Sequence, residues 1–141
     1  MRKRYFKIDK LIRDKMPEIM REQGLVLNPR VLDHDEFIAR LKDKLIEEAS
    51  EVAQVANQDE LVEELADVLE VVHALVIASG VTMEKVERTR QAKRLKRGGF
   101  DERIYNAAIE VESSNTAIDY YLLKGYQEIE KVENKAGQKF K

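Results

Sequence analysis

Cysteine is absent from the 141 residues, which excludes disulfides, thiolate metal ligands and cysteine nucleophiles together. Tryptophan is absent too and aromatics reach only 6%, so any core must be built from Leu, Val, Ile and Ala. Two prolines and six glycines are too few for an all-β chain, which turns roughly every 8–12 residues. No long hydrophobic run occurs: the stretch around Val68–Ala78 is broken by Glu70 and His73 and is too short to span a bilayer. The basic start, Met1 to Lys7, is followed by no apolar segment of the secretory type. The expectation is a soluble, cytoplasmic, helical protein with no membrane partner.

What the chain does have is charge, 37% of all residues against 43% hydrophobic, with a net value of only −2. That small sum hides a segregation. Between Asp43 and Glu70 stand ten acids and a single base, Lys44. Residues 1–16 carry seven bases against two acids, and residues 88–103 carry seven against two. An acidic centre between basic flanks does not suit duplex nucleic acid, which needs one broad positive face. It suits a cation held by carboxylates and a polyanion held by both.

Periodicity places four helices before the tail. The first covers about residues 11–23, with Pro17 marking a start near its own position, Lys10–Met16 a shaped lead-in and Gly24 a stop. The second opens on the capping box Asp33-His-Asp-Glu36 and runs to about Ala56; the third opens on Asn57-Gln-Asp-Glu60 and ends at Gly80. From Leu61 to Ala78 apolar residues fall on nearly every face, so this helix needs more cover than a short chain supplies, and a partner subunit is expected. A fourth helix runs from near Thr82 to Gly98-Gly99. Residues 100–112 read as a short strand or irregular chain, Asn115 as the cap of a helix over 117–124, and residues 131–141 as a frayed polar end.

The most informative pattern is Glu47-Glu48-x-x-Glu51, twelve residues, then Glu64-x-x-Asp67. Positions three or four apart share a helix face, and a short connection makes the two helices antiparallel neighbours. Four carboxylates then meet at one patch, where their repulsion calls for a cation. Oxygen donors with neither cysteine nor a histidine cluster favour Mg²⁺, with Mn²⁺ as a substitute, over zinc. The plainer reading of such residues is a solvated acidic face; two facing pairs beside large apolar surfaces weigh against it.

This pattern resembles the EExxE…ExxD signature of the MazG-like all-α nucleoside triphosphate pyrophosphohydrolases. Lys10-Leu-Ile-Arg-Asp-Lys15-x-Pro17, Glu63-Glu-Leu-Ala-Asp-Val-Leu-Glu70 and Arg97-Gly-Gly-Phe100 are similar to a subgroup related to phosphoribosyl-ATP pyrophosphohydrolases. The resemblance spans about residues 8–104 and implies an oligomeric, four-helix bundle-like domain over 1–104, with a C-terminal extension over 105–141. It implies Mg²⁺-dependent cleavage of a nucleoside triphosphate between its α- and β-phosphates, giving monophosphate and pyrophosphate. By position it makes Glu48, Glu51, Glu64 and Asp67 the metal ligands, and gives Glu47 a catalytic part in orienting water or a supporting place behind the ligands.

A triphosphate also needs cations. Lys10, Arg13 and Lys15 at the first helix, with Lys93 and Arg97 on the fourth, are the candidate phosphate-binding residues. Removal of aberrant or excess nucleotides is the expected role, and phosphoribosyl-ATP is the runner-up substrate. A homo-oligomer, dimer or tetramer, is expected. Two other readings compete with this one. Glu70-Val-Val-His73 has the ExxH spacing of di-iron bundles, but those need the motif on two helices, and His34 has no acid three residues before it. A non-catalytic helical module binding a basic partner would need no metal.

Overall fold

The computed structural model describes residues 1–130. The described chain is all-helical, in the order α1 (Met16–Glu22), α2 (His34–Gln54), α3 (Gln58–Ala78), α4 (Met83–Arg97) and α5 (Ala117–Leu123). It divides into two compact units, residues 1–97 and the chain from Gly98 onward. Among the described residues, no single helix is long and apolar enough to cross a membrane. The expectation for residues 131–141 lies outside the described residues.

In the first unit, α2 and α3 form a hairpin, each 21 residues long and joined by only three. No other helix pair among the described residues packs as extensively. Both starts are capped as their sequences predict. Asp33 Oδ1 accepts from the Glu36 amide, and Asn57 Oδ1 from the Glu60 amide, each at 2.9 Å. The return half of each box departs from the ideal. The Glu36 carboxylate is held by the Arg30 guanidinium, while Glu60 Oε2 accepts from the Ala56 amide, one residue earlier than the reciprocal bond requires.

The hairpin is antiparallel: at one end His34 Nε2 donates to the Ala78 carbonyl at 2.8 Å, and near the loop Glu51 and Glu64 meet. Its seam follows a three-four alternation. Ile38, Leu41, Leu45, Glu48 and Val52 of α2, with Val55 just past its end, are buried or half-buried, as are Leu61, Glu64, Val68, Val71, Leu75 and Ala78 of α3. Such spacing keeps one stripe of each helix against its neighbour. Two positions in it are acids.

Among the described residues nothing covers the outer face of α3. Val62, Leu65 and Leu69, spaced to share that face, are 63%, 45% and 57% exposed. The described residues therefore leave open the surface that the all-round apolar character of this helix predicts to need cover.

Helix α1 is shorter than the span 11–23, because Pro17 sits in its first turn and helix does not extend upstream of Met16. Leu11 and Ile12 are half-buried in the non-helical lead-in. Gly24 adopts φ 84° just past its end, where a side chain would be strained. Thr82 Oγ1 accepts from the Lys85 amide at 3.1 Å and starts α4, which is exposed from Glu84 to Arg97.

In the second unit, residues 100–112 take the irregular alternative and contain no strand. Asn115 Oδ1 accepts from the Ala117 amide at 2.8 Å at the start of α5. Tyr121 packs edge-on against Tyr120 and Tyr126, with centroids 5.2 and 5.5 Å away.

Candidate active site

The acids of the seam lie toward the loop end of the hairpin. Glu48 is 6% exposed and replaces an apolar residue on the packed stripe of α2; Glu64 does the same on α3. Glu51, one turn after Glu48, is exposed at the margin. The three carboxylates offer one oxygen each within 4.8 Å of one another. Glu48 Oε2 and Glu64 Oε2 are buried and have no hydrogen-bond partner. Buried carboxylate oxygens without a donor are expensive, so the cluster fits a cation-binding site better than a solvated acidic face.

Titration supports that fit. Loss of water around Glu64, the hydrogen bond it shares with Glu51, and the charges of Glu51, Asp67 and Glu48 all push its carboxyl above the ordinary value. Crowded carboxylates repel one another, and a divalent cation among them would offset that repulsion and give the buried oxygens a partner. The donors are all hard oxygens, the set Mg²⁺ and Mn²⁺ prefer.

Asp67 stands beside this trio. Its Oδ1 accepts from Arg13 at 2.6 Å, while its charge reaches Glu64. Glu47, one residue before Glu48, faces two ammonium groups, Lys10 at 3.3 Å and Lys44 at 3.4 Å. Burial pushes the Glu47 carboxyl up, but the two lysines outweigh it and hold it below the usual glutamate range. Burial likewise pulls Lys44 down, and the hydrogen bonds and charges of Glu48 and Glu47 more than restore it.

Of the five predicted phosphate-binding residues, two reach the cluster. Leu11 and Ile12 are half-buried, and Lys10 and Arg13 on either side fasten the lead-in to α2 and α3 respectively. Asp9, at φ 44°, turns the chain immediately before Lys10. A small cleft there is lined by Asp9, Lys10, Leu11, Arg40, Asp43, Lys44 and Glu47. Lys15 caps α1 through its backbone and is exposed. Lys93 and Arg97 are exposed on α4 and are not among the partners of the cluster. Glu70 and His73 are also exposed.

Lys44 is the residue that pattern reading passed over. It appeared only as the single base in an acidic stretch, yet its ammonium lies 3.0 Å from Glu48. The signal was available: Lys44 precedes Glu47 by three residues and Glu48 by four, the spacing of helical ion pairs.

The chain was compared with known proteins. A family model described as phosphoribosyl-ATP pyrophosphohydrolase matches residues 9–94, more than half of the chain. That span contains all five acids and four of the five predicted cations, Arg97 lying beyond it. No curated protein and no solved structure matches.

Proposed function

The chain belongs to the phosphoribosyl-ATP pyrophosphohydrolase family, a MazG-like pyrophosphohydrolase family acting on nucleotides, and from that premise we propose a Mg²⁺-dependent hydrolase that splits a nucleoside triphosphate between its α- and β-phosphates. Water adds across the anhydride, and the products are the monophosphate and pyrophosphate. The role is removal of non-canonical or excess nucleotides. The observation that carries the reading is the trio Glu48, Glu51 and Glu64, with two unpartnered buried oxygens.

Glu48, Glu51 and Glu64 hold the ion, with Asp67 as a further ligand. A bound Mg²⁺ supplies charge neutralisation for the phosphates and acidifies water. The remaining work falls to the protein's own groups. Glu47, kept ionised by Lys10 and Lys44, accepts a hydrogen bond from the attacking water and orients it. Lys10 and Arg13, already at the edge of the cluster, take phosphate oxygens, Arg13 through its planar fork. Lys15, Lys93 and Arg97 extend that binding toward the outer phosphates. A second copy of the chain covers the face of Val62, Leu65 and Leu69, giving a homo-oligomer whose sedimentation would exceed the 16.4 kDa of one chain.

Phosphoribosyl-ATP is the second reading, favoured by the description of the matching family; it presents the same α–β anhydride to the same acids. Pyrophosphate release from canonical and modified triphosphates and from phosphoribosyl-ATP, with Mg²⁺ and with chelator, tests both. Metal-dependent release with the matching monophosphate supports the hydrolase, and the preferred substrate chooses between the readings. A folded, metal-supplied protein that releases nothing would leave a binding module instead.

A further inference from the structure

Lys44 lies at the inner margin of α2, one turn before the paired glutamates, and its side chain is only 17% exposed. A lysine usually carries its ammonium out to water while its stem covers apolar surface. Here the ammonium turns inward instead. It meets Glu48 Oε1 at 3.0 Å and Glu47 Oε1 at 3.4 Å. The other oxygen of Glu48, Oε2, is buried and has no partner, in a carboxylate grouped with Glu51 and Glu64. One oxygen of Glu48 is therefore tied, and the other is left for a ligand.

We propose that Lys44 is a positioning residue for the metal site: it clamps Glu48 by Oε1, fixes the carboxylate plane, and so presents Oε2 to the ion. This rests on the metal-binding reading given above. The same ammonium holds Glu47 Oε1, so one lysine sets the orientation of two neighbouring carboxylates that serve different ends. Partners that orient ligands in this way commonly change metal affinity 10–100-fold when removed.

The sign of the effect separates a clamp from a mere neighbouring charge. A lysine acting only through its charge repels a divalent cation, and removing it tightens metal binding. A clamp that aligns a ligand does the reverse. Calorimetric titration of the full chain with Mn²⁺ alone, without nucleotide, reads this directly for the unmodified protein, Lys44→Met and Lys44→Arg. Lys44→Met is expected to weaken Mn²⁺ binding about tenfold or more, and Lys44→Arg, which keeps charge and donors, to recover most of it. Thermal unfolding in chelator shows whether each variant is folded, and Lys44→Gln replaces Lys44→Met should the latter not fold. Unchanged or tighter binding in the folded Met or Gln variant overturns the inference while leaving the metal site standing. Failure of the unmodified protein to bind Mn²⁺ overturns the metal-site reading, and the inference with it.

Discussion

The two ends of the α2–α3 hairpin are built on one seam and filled differently. Toward the end where His34 meets Ala78, the seam is apolar; Leu41 and Val71 on it are 3% and 7% exposed, and Val76 next to Leu75 is 8% exposed. Toward the loop, the same alternation carries Glu48 and Glu64, and buried oxygens go unpartnered. One end holds the helices together; the other gives up packing for a cluster of negative charge. An acid at a packing position opposes folding unless something pairs with it. The contrast therefore marks the candidate site without reference to any relative: it is where the seam breaks its own rule.

That contrast can be broken most sharply at Glu51. Exposed and off the seam, it contributes little to packing, so Glu51→Gln should abolish turnover and weaken Mg²⁺ binding while leaving the unfolding midpoint nearly unchanged. Undiminished pyrophosphate release would remove Glu51 from the site. At the opposite end the roles reverse. Leu41→Ala opens a hole in the best-buried stretch and should destabilise the fold by about 2–4 kcal/mol in urea titration, with the metal affinity of the remaining folded protein retained. A loss below about 1 kcal/mol would mean that the distal end does not carry the hairpin. Glu64→Leu then restores the alternation where it is broken. It should raise the metal-free melting temperature by several degrees and eliminate activity, the exchange expected when a functional acid yields to packing. A lower melting temperature would show that Glu64 is satisfied in a way its orphaned oxygen does not indicate.

Much of this was legible in the sequence because it is local. Acids three and four apart announce one helix face, and Asp33 and Asn57 announce helix starts; both depend on residues within a turn of each other. Antiparallel pairing of the acids followed from the short link between α2 and α3. What escaped involves distance along the chain or competition for one group. Lys10 reaches Glu47 across 37 residues and Arg13 reaches Asp67 across 54, so cations read as phosphate binders are seen first as partners of the acids. Arg30 takes Glu36 from its capping box, a contest no spacing rule decides. Pro17 shortened α1 as its chemistry requires. Lys44 could have been found from its spacing alone, but its inward turn becomes visible only once Lys10 and Leu11 of the lead-in lie beside it in one cleft.

The smallest expected effect sharpens the comparison by pH. His34 donates to the Ala78 carbonyl at the C-terminal end of α3, and that bond, followed by Asp35, raises its pKa above the ordinary 6.5. A raised value in the folded state means that the imidazolium contributes stability. The contribution is complete below the unfolded value of 6.5 and disappears as pH rises through the higher folded value. Glu64 is raised as well, so its contribution is complete below the ordinary glutamate value of 4.5 and fades as pH rises through its own folded value. The decline at the acidic end begins above pH 4.5 and that at the histidine end above pH 6.5, and only at the acidic end would a divalent cation compete with the proton. Unfolding midpoints measured from about pH 4 to about pH 8 should show two shallow declines. Saturating Mg²⁺ should erase the lower and leave the upper, and His34→Gln should erase the upper and leave the lower. A single decline removed by either change would mean that the ends are coupled, and that the division of labour along the hairpin is not real.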